Sequence, residues 1–424
     1  MNRSIQLAAA LLVAAAPAAA QTVAITGGTV YPVTGAPIRG GTVLIQNGRI
    51  AAVGTNLAIP AGAQRIDATG KWVTPGLFES STNMGLVEVD AVRETNDYQV
   101  AQPEGGDQVA AAFNVSDGIN PRSMVIPVSR IAGVTTAVSR PGGGLISGQA
   151  IAIDLLGNRV EEMTIASPVA MFANLGEGTH EALGGARGAQ TMRLREVLED
   201  ARAWARNRAA FERGESREFS ASRLDLEALQ PVLAGREPLA VEAHRASDIQ
   251  AVLRIGREYG LKLIIVGGTE AWMVASDLAQ ARVPVLVKVL NNLPGSFETL
   301  GATYENAARL RRAGVTVAIT SGETFKAYNI RQEAGNAVAY GLPWDEALRA
   351  ITLVPAQIYG VADRYGSLEV GKVADVVVWD GDPLELLTRV NRVIIRGRDV
   401  PLVSRETQLR DRYRRIDDTR AYRN

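Results

Sequence analysis

The sequence contains no cysteine and has two histidines among its 424 residues. The absence of cysteine excludes disulfide bonds, thiolate metal ligands and a cysteine nucleophile. The two histidines, His180 and His244, restrict any imidazole site, because a tight zinc centre needs about three or four nitrogen, sulfur or carboxylate donors. The sequence also lacks the Gly-x-x-x-x-Gly-Lys-Ser/Thr phosphate loop and the Gly-x-Ser-x-Gly nucleophile elbow.

Charge surplus and long apolar runs are missing as well. The 45 basic and 45 acidic residues cancel, so nothing indicates nucleic acid or an anionic membrane as a partner. No stretch reaches the roughly 18 apolar residues of a membrane span. Residues 1–20 have the pattern of a secretory signal, with Arg3 before a short apolar run and small residues before Gln21. We therefore expect a soluble, exported, periplasmic protein; an uncleaved membrane anchor is the alternative.

From Leu77 onwards, short apolar runs alternate with helical patterns, which predicts parallel βα units. The predicted strands lie near 77–83, 134–138, 149–154, 168–174, 238–244, 262–267, 284–289 and 315–319. Eight parallel strands with outer helices predict an α/β fold, a (β/α)8 TIM-like barrel. The alternative, an open doubly wound sheet, lacks its Gly-x-Gly-x-x-Gly turn. Upstream of the barrel, Asn47-Gly48 between two apolar runs predicts a two-residue hairpin turn.

Two long motifs occupy the C-terminal part of the chain. One runs from Gly341 to Thr352 and the other from Gly366 to Asp380. They resemble the C-terminal signature of the amidohydrolase superfamily, in particular its imidazolonepropionase-like branch. The resemblance implies that both chain ends form one small β-sandwich domain beside the barrel. It divides the chain into a signal peptide (1–20), a composite β-domain (21–74 plus 365–403), the barrel (75–364) and a charged C-terminal tail (404–424).

The resemblance also implies metal ligands at the barrel mouth, but most of those positions hold other residues. At the two ligand histidines of strand one this chain has Ser81 and Asn83, whereas His244 keeps the ligand position of strand five. Strand six has no histidine, and strand eight has Ser321 and Glu323 but no aspartate. Hydroxyl and amide oxygens are poor zinc ligands. We expect no cofactor; zinc or another divalent metal held weakly at His244 is the alternative.

Strand alternation predicts a buried charge network inside the barrel. If His244 points inward, Glu242 does so too, and the ligand positions of strand one bring Glu79 inward in the same way. Lys288 lies opposite the valines of strand seven and is expected to pair with Glu242 or Glu79, because an unpaired charge there is costly. In the alternative, Lys288 reaches solvent and the glutamates bond backbone amides.

Active sites of such barrels lie where the strands end, and polar side chains gather there. Glu323 and His244 are the predicted catalytic residues, with His244 as the predicted ligand if a metal binds. Arg140 opens a glycine-rich segment, which forms either a flexible turn or an anion-binding nest. The predicted substrate pocket consists of Ser81, Asn83, Glu242, Lys288, Asn291 and Ser321.

The resemblance implies a hydrolase of non-peptide carbon–nitrogen bonds that acts on a small substrate at the barrel mouth. The missing ligands favour an alternative, a non-catalytic amidohydrolase-like binding or partner subunit that has lost its metal site. The expected partners are a small-molecule substrate or ligand and related subunits in a homo- or hetero-oligomer. Nucleic acid is not expected, nor is a membrane after signal cleavage.

Overall fold

The computed structural model of the protein describes residues 22–100, 108–209, 213–215, 217–291 and 293–414. The predicted signal peptide lies outside the described residues. Two sheets contain the strands Thr22–Val30 (β1), Ile38–Gln46 (β2), Arg49–Gly54 (β3), Gln64–Asp67 (β4), Trp72–Pro75 (β5), Leu77–Thr82 (β6), Val134–Ser139 (β7), Ile146–Asp154 (β8), Thr164–Asn174 (β9), Leu239–Ala243 (β10), Leu263–Gly267 (β11), Val285–Val287 (β12), Val317–Ile319 (β13), Val376–Trp379 (β14), Val390–Ile395 (β15) and Arg398–Val400 (β16).

Helices follow most strands of the second sheet. Their apolar residues recur at helical spacing and are buried, as Leu194, Val197, Leu198 and Trp204 are in α3. No described helix has the length and apolar character needed to cross a membrane. The α-helices are Val125–Arg130 (α1), Val160–Met163 (α2), Arg187–Arg206 (α3), Arg223–Ala228 (α4), Gln230–Leu233 (α5), Ala246–Tyr259 (α6), Ala275–Ala281 (α7), Asn306–Arg312 (α8), Ile330–Ala339 (α9), Trp344–Ala350 (α10), Leu353–Ile358 (α11) and Arg405–Tyr413 (α12).

The first sheet combines strands from both ends of the described chain. Its order is β16-β15-β14-β5-β1-β2-β3, with β4 paired to β1, and β14 joins the two ends by pairing antiparallel with β5. The predicted hairpin is confirmed: β2 and β3 pair antiparallel around Asn47 and Gly48, whose φ angles are 52° and 74°. A β-sandwich made from this sheet stays a prediction.

The second sheet contains all eight strands that periodicity predicts, in chain order from β6 to β13. One part of the prediction is wrong: β8 runs antiparallel to both β7 and β9, whereas the other neighbours pair parallel. The reason is the connection from β7 to β8, residues 140–145, in which Gly143 and Gly144 adopt positive φ. A parallel partner would need a crossover of a dozen or more residues.

The sheet curves round one apolar interior. Alternate residues from every strand meet in a single buried cluster, together with Val354, Tyr359 and Tyr365 from α11 and the segment after it. A common cluster for all eight strands requires the nearly closed shape of a barrel. The strand residues that represent the cluster are Phe78, Val138, Ala150, Phe172, Ala240, Ile264, Leu286 and Ala318.

Side chains join the two ends of the barrel sheet. The sheet order begins at β6 and ends at β13, with no backbone ladder between them among the described strands. Glu79 on β6 crosses this seam: its Oε2 accepts from the Ser321 amide (3.0 Å) and hydroxyl (2.6 Å), and its Oε1 accepts from the Thr320 hydroxyl. The buried carboxylate therefore joins β6 to the segment after β13 by side-chain hydrogen bonds where main-chain pairing stops.

An aromatic group packs the sheet of the chain ends against the barrel. The ring of Tyr31 stacks on that of Trp72 at 4.6 Å between centroids, and Trp344 at the start of α10 meets both rings. The indole N–H of Trp344 donates to the Asp382 carboxylate at 2.8 Å. These contacts pack the sheet of the chain ends against α10 of the barrel.

Candidate functional site

The barrel mouth, defined by the C-terminal ends of β6, β7 and β9–β13 and the N-terminal end of β8, contains the predicted site. Because β8 is reversed, its first residues lie at this end with the hairpin 140–145. The Asn174 side-chain amide, at the end of β9, donates to both the Gly144 carbonyl and the Ser147 hydroxyl at 3.1 Å. The reversal thus brings residues of the β7–β8 hairpin to the mouth.

His244, Glu242 and Arg140 form a charged group at the mouth. The Nε2 atom of His244 lies 3.8 Å from Glu242 Oε1, the distance of an ion pair rather than a direct hydrogen bond. Arg140 Nη2 lies 3.4 Å from the other carboxylate oxygen, and the guanidinium stands over the Phe172 ring at 5.6 Å. The Nδ1 atom of His244 is 2.8 Å from the Thr269 hydroxyl. The imidazole is therefore held from both sides.

This arrangement sets the protonation of the pair. Burial alone would raise the pKa of the Glu242 carboxyl, but His244 and the positive charge of Arg140 outweigh it and lower this pKa to about 2. Burial would lower the pKa of His244, but the carboxylates of Glu242, Glu298 and Glu177 outweigh it and raise this pKa above its ordinary 6.5. The Glu242 carboxylate therefore stabilises the protonated form of the His244 imidazole.

Gly267, the last residue of β11, makes room for His244. A Cβ atom at this position would lie 2.4 Å from Cε1 of the imidazole, and the φ angle of +85° also favours glycine. A ligand side chain at this strand end is therefore incompatible with the present place of the His244 ring. A histidine at residue 267 would require the His244 ring to move.

Lys288 and Glu323 form a second ion pair, with Nζ 2.6 Å from Oε1. The predicted pairing of Lys288 with Glu242 or Glu79 is wrong. Glu242 already has Arg140 and His244 as partners, and Glu79 accepts hydrogen bonds at the seam between β6 and β13. Lys288 follows β12 with 36% of its side chain exposed, so it reaches the half-exposed Glu323 on the next strand end.

Glu79 does not face the interior with Glu242. Phe78 belongs to the interior cluster and Leu77 to the cluster under the outer helices, so alternation puts Glu79 on the outer face. Its carboxylate is fully buried, and burial raises its pKa to about 7 although the surrounding hydrogen-bond donors lower it. Ser81 and Ser321 are buried beside it, and both supply donors to the Glu79 carboxylate.

The remaining predicted pocket residues lie at separate places around the mouth. The Asn83 side-chain amide donates to the Arg140 carbonyl at 2.8 Å, which links the end of β6 to the β7–β8 hairpin. Asn291 is exposed in the loop after β12. Within the described part of the chain, neither side chain forms a hydrogen bond with His244 or Glu323.

Sequence reasoning missed an arginine in the loop region above β9. Arg187, at the start of α3, contacts three carboxylates: Asp248 at 2.6 Å, Glu177 at 3.3 Å and Glu298 at 3.6 Å. Two of these carboxylates also raise the pKa of His244. The acceptors come from the segment after β9, the first turn of α6 and the segment after β12, so nothing local in the sequence reveals the cluster.

A divalent metal, which the resemblance implies, does not fit the residues at the mouth. Within the described ranges no three His, Asp or Glu side chains come together as a metal-binding group. Arg140 and Lys288 also bring positive charge to Glu242, the carboxylate beside His244, and to Glu323. The chemistry considered for this mouth therefore uses protein side chains only.

Comparisons with known proteins agree with this fold. Residues 237–400 match the model of the Amidohydrolase family. A crystal structure of an amidohydrolase from Thermotoga maritima superposes with a TM-score of 0.81 at 30% identity, covering 89% of this chain and 99% of that one. The chain is 26% identical to an imidazolonepropionase of Chromobacterium violaceum, over 87% of this chain and 93% of the relative.

Two further relatives match over most of the chain. An imidazolonepropionase of Mesorhizobium japonicum is 25% identical over 82% of this chain and 89% of its own length. Amidohydrolase tasK of Hapsidospora irregularis is 24% identical over 81% of this chain, which spans 38% of that longer relative. The chain therefore belongs to the amidohydrolase superfamily, in its imidazolonepropionase-like branch.

Proposed function

We propose that this protein hydrolyses a carbon–nitrogen bond in a small amide or cyclic amide at the barrel mouth. Its family and its imidazolonepropionase relatives support this class of reaction. The observation that carries the proposal is the His244–Glu242 pair, because the Glu242 carboxylate stabilises the protonated imidazole at the end of β10. A proton donor of this kind is what a leaving amine requires.

The proposed reaction divides acid and base between two strand ends. Glu323 accepts a proton from water, whose oxygen forms a bond to the substrate carbonyl carbon. The carbon–nitrogen bond then breaks while the imidazolium of His244 gives its proton to the leaving nitrogen. Lys288 holds the Glu323 carboxylate, and Thr269 holds the other side of the imidazole. No step uses a metal ion.

Imidazolonepropionate, the substrate that the relatives' name indicates, is the first compound to assay. We expect the purified protein to open this ring or that of another small cyclic amide. NMR of the product detects the ring opening. His244→Gln should lower kcat/KM by about 100-fold, because a general acid typically accelerates a reaction by at least that factor. His180→Gln, which alters the other histidine of the chain, should leave it unchanged.

Three results would contradict the proposal. Equal activity of the His244→Gln and wild-type proteins would remove His244 from the reaction. Stoichiometric zinc retained after dialysis against a mild chelator would show that the metal-free mechanism is wrong. No turnover across a panel of cyclic and linear amides would favour the non-catalytic binding or partner subunit.

Three further expectations accompany this proposal. We propose export to the periplasm on the pattern of residues 1–20, and assembly with like or related subunits. We also propose that the sheet of the two chain ends closes into a β-sandwich beside the barrel. Fractionation of cells that express the full chain and light scattering of the purified protein test the first two.

A further inference from the structure

An open cavity of about 1070 Å³ lies at the end of the barrel opposite the mouth. Its lining comes from the starts of β9 to β13 and from the segment 357–361, and includes Pro238, Leu263, Pro284 and Thr316. Small-molecule sites are usually concave spaces of roughly 300–1,000 Å³. This cavity therefore has room for a ligand and shares no strand end with the mouth.

A buried carboxyl without a partner lies in this cavity. Glu237, two residues before β10, is 6% exposed, and its Oε1 atom has no hydrogen-bond partner among the described residues. Burial raises its pKa to about 7. An unpaired buried polar atom is costly and uncommon. A ligand that brings a hydrogen-bond donor to the Glu237 carboxyl group would offset the cost of burying it.

Basic side chains line the same cavity. Arg236, Lys262 and Arg282 line the cavity from exposed positions, and within the described chain none of them has an ion-pair partner. Arg364 lines it too, with its guanidinium donating to the Ile165 carbonyl at 3.2 Å. The Arg364 guanidinium also lies 3.9 Å from the Asp363 carboxylate, so three cationic groups that are unpaired among the described residues remain against one carboxyl. The lining is therefore positive, which favours a ligand with an anionic group.

The walls between these charges are apolar. Val169, Ile264, Val283, Ile358 and Val361 line the cavity, and prolines add further apolar surface. A ligand that complements the whole lining therefore combines three features: an apolar body, a donor for Glu237 and an anion for the basic rim.

We propose that this cavity binds short apolar peptides or apolar amino acids that carry a free amino group and a free carboxyl group. The ammonium group donates to Glu237, the carboxylate meets Lys262 and its basic neighbours, and the side chains contact the apolar walls. A phosphate ester or a nucleic acid would pair with the basic side chains at the rim. It would leave Glu237 unpaired, however, and would repel the charged form of this carboxyl.

Leucyl-leucine and two blocked derivatives test the proposal by calorimetry on the full-length protein. We expect leucyl-leucine to bind, and both the N-acetyl and the C-terminal amide derivatives to bind about tenfold or more weakly. Glu237→Gln should weaken the binding of leucyl-leucine by a similar factor. In this variant the N-acetyl derivative should bind as well as leucyl-leucine does, as expected if the amino group contacts Glu237 directly. The derivatives test the site even if this variant folds poorly.

Two controls separate this cavity from the mouth. Glu333→Gln alters a carboxyl that is buried near the other end of the barrel, and we expect it to bind leucyl-leucine like the wild type. His244→Ala should also bind normally, because it changes the mouth only. Loss of binding in His244→Ala but not in Glu237→Gln would overturn the proposal, as would absent binding or equal affinity for the N-acetyl derivative.

Discussion

At the scale of the residue, the mouth depends on how one imidazole is held. His244 has a carboxylate on one side and a hydroxyl on the other, and its ring fills the space that a side chain at residue 267 would need. The acidity of this ring is therefore a property of its neighbours, since burial alone would lower the pKa that Glu242 raises.

Gly267→Ala is expected to displace His244 from Glu242. The pKa of His244 should fall, because the added methyl group collides with the ring and separates it from the carboxylate. NMR titration of the imidazole signals measures this directly, since the chain has two histidines and His180 serves as the internal reference.

Gly260→Ala is the matched control for this titration. Gly260 also has a positive φ, of +70°, but a Cβ there would meet nothing within 4 Å. Both variants should lose about 1 kcal/mol of stability from backbone strain. An identical His244 midpoint in the two variants would contradict the packing argument.

At the scale of the element, the barrel departs from regular parallel geometry in two places. The short connection before β8 reverses that strand, and the seam between β13 and β6 is closed by side chains. At the seam, Glu79 accepts from two amides and two hydroxyls, the donors of Ser81, Thr320 and Ser321. One carboxylate thus replaces a missing backbone ladder.

Glu79→Ala should loosen the seam. The variant leaves buried donors on both sides without an acceptor, so we expect a loss of about 3 kcal/mol. Hydrogen exchange should become faster in peptides that contain β6 and β13. Glu346→Ala, which removes a partly exposed pair with Arg311, should cost less than about 1 kcal/mol. Unchanged exchange at both strands of Glu79→Ala would show that the seam does not depend on this carboxylate.

At the scale of the whole molecule, buried carboxyls are spread through the barrel. Glu79 lies at the seam, Glu237 at the cavity opposite the mouth, and Glu333 behind the β12 loop, where it accepts from the Leu290 amide at 2.7 Å. Burial raises the pKa of each to about 7. The folded protein therefore binds more protons than the unfolded chain between about pH 4.5 and 7, and its stability should fall as pH rises through this range.

Glu333→Gln should reduce this pH dependence. The pKa of Glu333 is about 7 in the folded protein and 4.5 ordinarily. Its contribution to the free energy of unfolding is therefore complete below pH 4.5 and is lost as the pH rises through 7. The variant should match the wild type at pH 4 and exceed it at pH 8 by up to about 3 kcal/mol. Denaturant midpoints at the two pH values measure the difference.

Asp345→Asn supplies the control, because this carboxyl is exposed on α10. Its two midpoints should change with pH in parallel with those of the wild type. A Glu333→Gln variant that also followed the wild type would show that Glu333 does not carry a raised pKa in the folded protein.

Local pattern alone determined much of this protein. The eight strands of the barrel and the Asn47-Gly48 hairpin follow from periodicity and turn chemistry, which act between near neighbours in the chain. The C-terminal motifs identified the superfamily for the same reason, since they are continuous in sequence. The prediction that His244 stands at the end of a barrel strand required only its place after β10.

Tertiary structure decided how these elements and charges meet. The direction of β8, the pairing of Lys288 with Glu323 and the place of Glu79 at the seam depend on residues far apart in the chain. Alternation limits which face a side chain can take, but it does not select the partner, because several carboxylates lie within reach of one cation. The cavity opposite the mouth likewise exists only once the starts of five strands and the end of α11 come together.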